Sequence, residues 1–416
     1  MTFNKADILL PKNSDMRKWS VVACDQYTSE PEYWEEVRNI ASDEPSAYNL
    51  ILPEVYLEND DVDELIKKVN SNMREYIEDG VFEEYKDAYI YVERTQRNGA
   101  VRKGVIGAVD LGDYDYSKGS QSAVRATEGT VPERIPPRLK VRLEAQLELP
   151  HVMILIDDRK KEIIENLASK KDSFKKVYDF DLMMDSGHLC GWLLDRESAK
   201  KLDADLEALA DVDAFNIKYG VCLEKPLVYA VGDGNHSLAT AKEYYNQMKK
   251  NDAPNAQLAR FALAELVNLH DDSLVFEAIH RVVFDIDEKD FEAKLSEICN
   301  ADSCEGQKFT LITADGEKSF SFVTPTANLT VGSIQNFIDS YLSANGGRVD
   351  YIHGEDVVRE LSSQKGRCGI LLDAMDKNDL FKTVILDGAL PRKTFSMGEA
   401  YDKRFYTEAR IINSDK

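Results

Sequence analysis

Six consecutive residues, Gly232-Asp-Gly-Asn-His-Ser237, set two glycines beside a carboxylate, an amide, an imidazole and a hydroxyl. Gly232 and Gly234 let an anion approach the backbone with no Cβ in the way, and Asp233, Asn235, His236 and Ser237 surround the same point. The preceding Leu227-Val-Tyr-Ala-Val231 is apolar and β-branched and reads as a strand, while Leu238 to Tyr245 alternates as a helix does. A strand–turn–helix junction aims unpaired backbone N–H groups and the positive end of a helix dipole at one place, which suits phosphate or carboxylate. Asp233 repels a phosphate unless it holds a metal or accepts a proton, so it is a candidate for chemistry. The structural alternative is that Asn235 or Ser237 only caps the helix, a role worth about 1 kcal/mol. The turn is not a Walker loop, since no Gly-Lys-Ser/Thr ends it, and its G-x-G lacks the third glycine of a dinucleotide fingerprint.

A second chemical signal is a reversal of charge. The 416-residue chain carries 52 basic and 75 acidic side chains for a net charge of −23, yet Lys118 to Arg142 holds six basic residues against Glu128 and Glu133. Arginine's planar fork grips phosphate or carboxylate with two bonds, which makes Arg125, Arg134 and Arg138 candidate contacts for an anionic ligand. The alternative is a solvated segment whose arginines pair with nearby acids. The island matters functionally only if it folds onto the glycine turn.

The acidic balance argues against general binding to nucleic acid or anionic membranes and favours a small anionic ligand as partner. No basic-then-apolar leader opens the chain and no apolar run nears the roughly 20 residues of a spanning helix, so a soluble, cytoplasmic protein is expected. Six cysteines without a C-x-x-C pair fit reduced thiols, with no structural metal expected from them. His151, His188, His270, His280 and His353 stand alone and read as structural.

The elements that must position these residues alternate between helix and strand. Helices are expected near 32–41, 62–80, 197–210, 238–250, 288–299 and 333–343. Strands are expected at Trp19–Cys24, Ala88–Val92, Arg102–Val109, His151–Ile156 and around 308–323, with a last α/β stretch near Cys368–Leu372. Arg97-Asn-Gly99 reads as the turn of a hairpin, and Arg260–Leu269 as a strand or a buried helix. The fold class is α/β or α+β with mixed sheets, divided into a core over residues 1–252 and a smaller C-terminal α+β region over 253–416.

Five segments in order carry a resemblance: Arg125-Ala-Thr-Glu128, the strand into Asp157-Asp158, the glycine turn with Thr240-Ala241, His280-Arg-Val282 and Leu390-Pro-Arg-Lys-Thr394. Together they resemble the DUF1015 family, whose turn is of a D-G-H-H-R-Y-E-T-A type. This chain departs from that turn with Asn235 for the first histidine and Ser237 for the arginine. The turn is also similar to the G-H-x-R box of the ParB and sulfiredoxin superfamily, which includes free-serine kinases. The resemblance implies a ParB/sulfiredoxin-like nucleotide-binding core, with Gly234, Asn235, His236 and Ser237 cradling the phosphates of ATP or ADP. It further implies Mg²⁺, for which Asp233 is the candidate ligand, and an acid near the N-terminus that serves an acceptor hydroxyl. Asp25 and Glu30, in the loop after the first strand, are the candidates for that acid. Two readings follow: a small-molecule kinase acting on a hydroxyl, and a non-catalytic protein that binds a nucleotide or anionic metabolite.

Overall fold

A computed structural model describes residues 1–42, 44–301 and 305–413. Cys304 lies outside them; the other five cysteines are free thiols. The chain forms two compact units, one made of Met1–Leu274 with Glu399–Lys416 and the other of Val275–Gly398.

The first unit is organised by a ten-stranded mixed sheet. Its strands run in the order Lys175–Asp181, His188–Leu193, Ile90–Thr95, Val101–Asp110, Phe261–Asn268, Met153–Ile156, Tyr229–Asp233, Val124–Ala126 and Tyr114–Asp115, with Phe3–Asn4 added alongside Val101–Asp110. Most neighbours are antiparallel. Met153–Ile156 runs parallel to Phe261–Asn268, and Val124–Ala126 runs parallel to both of its neighbours. The apolar run expected at 151–156 is a fully buried strand, as a central position demands. Arg260–Leu269 resolves as the strand Phe261–Asn268, and its central place moves the unit boundary from residue 252 to Leu274.

Helix Asn235–Lys250 buries Leu238, Ala241, Tyr244 and Tyr245, spaced three and four residues apart, which is the face a core-packed helix needs. After strand Met153–Ile156 only the short helix Glu165–Ala168 forms, because the Asp158 carboxylate captures the amides of Glu162 and Ile163 in a turn. Trp19 ends the short helix Met16–Trp19, so the strand expected over Trp19–Cys24 is reduced to its middle, Val21–Val22.

The C-terminal segment returns to this unit. Phe405–Tyr406 pairs with Val21–Val22, and Arg410–Ile411 pairs with Leu147–Glu148. These two ladders bring residues 403–406 next to Cys24-Asp25 and His151.

The second unit is an antiparallel six-stranded sheet in the order Cys299–Ala301, Gly316–Phe322, Gln307–Thr313, Arg367–Leu371, His280–Phe284 and Arg348–Ile352. Helices Glu288–Ile298, Thr330–Asn345, Glu355–Ser362 and Lys377–Asp387 accompany it. No helix among the described residues is long and apolar enough to cross a membrane.

Candidate functional site

The glycine turn is built by its neighbours in the sheet. Tyr229–Asp233 lies between Met153–Ile156, with Met153 opposite Asp233, and Val124–Ala126, with Ala126 opposite Val231. Gly234 adopts φ 78° and ψ 28°, a left-handed conformation natural to glycine, and so turns the strand directly into the helix. No side chain caps that helix, so the amides of Asn235, His236 and Ser237 point out of its first turn uncapped. Two more polar atoms in this neighbourhood, Asn235 Oδ1 and Thr130 Oγ1, are buried without a hydrogen-bond partner. Thr130 belongs here because the next amide, Val131 N–H, donates to His236 Nε2 at 3.2 Å.

Ser237 spends its hydroxyl on His151 rather than on a cap: its Oγ lies 3.1 Å from His151 Nε2. The other ring nitrogen, Nδ1, lies 2.7 Å from the Tyr406 hydroxyl, which also accepts the Cys24 N–H at 3.2 Å. Asp25 Oδ2 completes the group at 3.5 Å from His151 Nε2. Burial disfavours charge on both partners, but the mutual attraction prevails: His151 is raised above the ordinary histidine value, and Asp25 is held well below the ordinary carboxylate range. Each partner thus favours the charged form of the other, and the Asp25 side chain keeps 29% of its surface open to solvent. Asp233 uses one oxygen for the Gly234 amide at 2.9 Å and presents the other to Lys403 Nζ at 3.3 Å.

Part of the basic island folds onto this turn. His236 is pushed down to about 4, first by burial and then by the positive fields of Arg138 and Arg134. It is neutral near pH 7; because Nε2 accepts from Val131, its proton sits on Nδ1. Arg134 is exposed, whereas Arg138 is paired with Glu54 and donates to the Arg134 carbonyl at 2.7 Å. A cavity of about 160 Å³ lies beside the group, lined by Arg138, His151, Ser237 and Tyr406 together with apolar side chains such as Leu52 and Met73.

Three other residues singled out in the sequence sit differently. The space a Gly232 Cβ would need is filled by the Leu155 side chain, 2.8 Å away, so this glycine serves packing within the sheet. Arg125 is buried in its strand, bonded through Nε to the Ser122 carbonyl at 2.9 Å and with Nη2 unpartnered; it makes no hydrogen bond to the turn. Glu30 is exposed, immediately before Pro31 of helix Pro31–Ile40, and no hydrogen bond joins it to Asp25 or His151. His151, which reads as structural from the sequence, joins this centre, and so do Lys403 and Tyr406, which no motif marks. The available signals were the place of His151 just before a buried strand and the basic, aromatic character of residues 401–406.

The fold and this group of side chains define a mixed α/β protein with a polar centre where a strand turns into a helix. The chain belongs to the family described as protein of unknown function DUF1015, whose model matches residues 7–341. No protein of curated function matches it in sequence. Among solved structures it is similar to a free serine kinase in complex with AMP, at 9% identity over 72% of this chain and 89% of that one, with a TM-score of 0.36. It is also similar to a C-terminally truncated SbnI from Staphylococcus aureus, at 9% identity over 70% of this chain and 82% of that one, again with a TM-score of 0.36.

Proposed function

We propose that the protein is a nucleotide-dependent small-molecule kinase. The observation that carries this is the convergence, at one uncapped helix start, of the Asp25–His151 pair, the amides of residues 235–237 and the positive fields of Arg134 and Arg138. Phosphoryl transfer asks chiefly for positioning and charge neutralisation, and this arrangement suits both.

In this account the amides after Gly234 receive the donor's phosphate oxygens. The unpartnered Asn235 carboxamide and Thr130 hydroxyl supply further bonds, the carboxamide turning its Nδ2 toward the anion. Asp25 orients the acceptor hydroxyl and takes its proton as the new O–P bond forms, while the bond to the bridging oxygen breaks and releases the nucleoside diphosphate. His151, held by Tyr406 and Ser237, fixes the Asp25 carboxylate and keeps it ionised. Asp233 is the residue that would hold Mg²⁺, with water and phosphate oxygens as the other ligands, and the ion would neutralise phosphate charge. Its partner Lys403 occupies one carboxylate oxygen and supplies positive charge at the same place. Arg125, Gly232 and Glu30 have supporting rather than contacting roles in this scheme.

The Asp233–Lys403 pair also favours a second reading, a binding protein without turnover, because the carboxylate is already neutralised by a side chain. The test is nucleoside diphosphate release from ATP, with Mg²⁺ and a pool of hydroxy amino acids and hydroxy acids. The kinase account predicts acceptor-dependent release in the native protein and none in Asp25→Asn, which still binds the nucleotide. Binding with no release across the pool would establish the second reading instead.

A further inference from the structure

At the opposite edge of the large sheet, the hairpin Lys175–Asp181/His188–Leu193 gathers three different metal-ligating chemistries on one face. Asp179 stands directly opposite Cys190, and Asp181 directly opposite His188. Asp179 and Asp181, like His188 and Cys190, are two residues apart and so share a side of the sheet. A register shift between Lys176 and Tyr178 comes just before this set, a feature that re-aims the side chains following it.

The distances place the three donors close enough to share one ion. His188 Nε2 lies 2.8 Å from Asp179 Oδ1 and 3.3 Å from Cys190 Sγ, and the three donor atoms all fall within 4.8 Å of one another. A tetrahedral ion with bonds of about 2.0–2.3 Å separates its donors by roughly 3.3–3.7 Å, so the carboxylate and ring need open by only about half an ångström. The far nitrogen of the ring, Nδ1, is 2.7 Å from Asp181 Oδ1. A carboxylate behind a histidine in this way sets the tautomer that points the Nε2 lone pair at a metal. The second oxygen of Asp179 is held by Lys176 Nζ at 2.5 Å, which leaves Oδ1 to face the ring.

We propose that Asp179, His188 and Cys190 form a binding site for a borderline-soft divalent transition metal of the Zn²⁺ class. A carboxylate, an imidazole and a thiolate match that class, whereas Mg²⁺ and Ca²⁺ take oxygen donors alone. On binding, the Cys190 thiol gives its proton to solvent and no electron moves. Three protein donors leave the fourth position to water, and the half-exposed hairpin gives the ion a path in; the Asp179 and His188 side chains are 41% and 34% exposed. The absence of a C-x-x-C pair conceals the site in the sequence, because its donors come from two strands and only pairing unites them.

Co²⁺ added to the full chain tests the proposal, since a thiolate bound to Co²⁺ gives a ligand-to-metal charge-transfer band. One equivalent is expected to produce that band, and Zn²⁺ to bleach it. C190S should abolish the band, H188A should abolish or strongly weaken binding, and D179N should weaken it about tenfold or more. D233N, at the proposed nucleotide centre, should leave the band unchanged, which separates this site from the kinase reading. Zn²⁺ should also slow alkylation of Cys190 in the native chain but not in H188A. A Co²⁺ spectrum without a thiolate band, one that survives in C190S, or alkylation indifferent to Zn²⁺ would overturn the assignment.

Discussion

Two charged clusters occupy the first unit, and they are finished to different degrees. Around Glu265, which is 0% exposed, Arg102 Nε and Arg404 Nη1 each lie 3.1 Å from a carboxylate oxygen. Arg102 continues to the Asp402 carbonyl at 3.1 Å, Arg404 to Glu408, and Glu408 to the Tyr178 hydroxyl. Gly104 leaves room for this cluster, since a Cβ there would lie 2.6 Å from Glu265 Oε1. Around Asp25, by contrast, the ion pair is longer, the carboxylate is partly open, the adjoining helix start is uncapped and two nearby polar atoms are unpartnered. Both clusters combine acids and bases near the same sheet. The closed one has both oxygens of its central Glu265 carboxylate paired with guanidinium groups and holds the fold together, whereas the open one retains capacity that a ligand can complete.

That contrast is most sharply broken at Glu265. Removing it leaves buried guanidinium groups facing each other without their carboxylate, so Glu265→Ala is expected to cost about 3–5 kcal/mol in urea denaturation. A loss below about 1 kcal/mol would deny the cluster its structural role. Asp25→Asn should behave in the opposite sense: turnover falls by about 10²–10⁴-fold while the stability loss stays below that of Glu265→Ala. A large stability loss there, with turnover retained, would exchange the roles assigned to the two clusters.

His236 supplies a smaller effect with a defined sign. Its value is about 4 when folded against 6.5 for the free side chain, so the unfolded chain takes the proton more readily. The stability it contributes is whole above pH 6.5 and is lost as the pH falls toward about 4, on the order of 1–3 kcal/mol. Denaturation of His236→Gln across this interval should show a flatter dependence than the native protein. An unchanged slope would place His236 outside the field of Arg134 and Arg138. The smallest expected effect is at Lys403: Lys403→Met should cost about 1 kcal/mol or less, since its pair with Asp233 is partly exposed, while weakening nucleotide binding.

Much of this was legible in local pattern and some was not. The β-branched run, the glycine pair and the helical alternation located the turn, and the observed Tyr229–Asp233 strand and Asn235–Lys250 helix follow that order. Helix positions elsewhere agree within a few residues because their signals are local, as at Pro31–Ile40 and Val62–Glu78. The partners of the turn were hidden for the opposite reason. His151, Lys403 and Tyr406 reach it through strand pairings between distant segments, and no spacing in the chain encodes those. Gly232 shows a further limit, since a glycine that admits an anion and one that admits Leu155 look the same in sequence. Arg125 differs from Arg134 and Arg138 because it lies in a buried strand, whereas they sit at the start of a surface helix.

The most direct test of the nucleotide centre is ATP binding, measured by thermal stabilisation, in the native protein and in Asn235→Asp. A carboxylate in the first turn suits the helix dipole, but its oxygen enters a buried place where Asn235 Oδ1 has no partner, so each protein is compared with its own ligand-free form; the added charge opposes a phosphate at the same amides. The account predicts stabilisation of about 2.7 kcal/mol for the native protein at 100 times the dissociation constant, and a small fraction of that for the variant at the same concentration. Equal stabilisation of both proteins, or none of the native one, would contradict it.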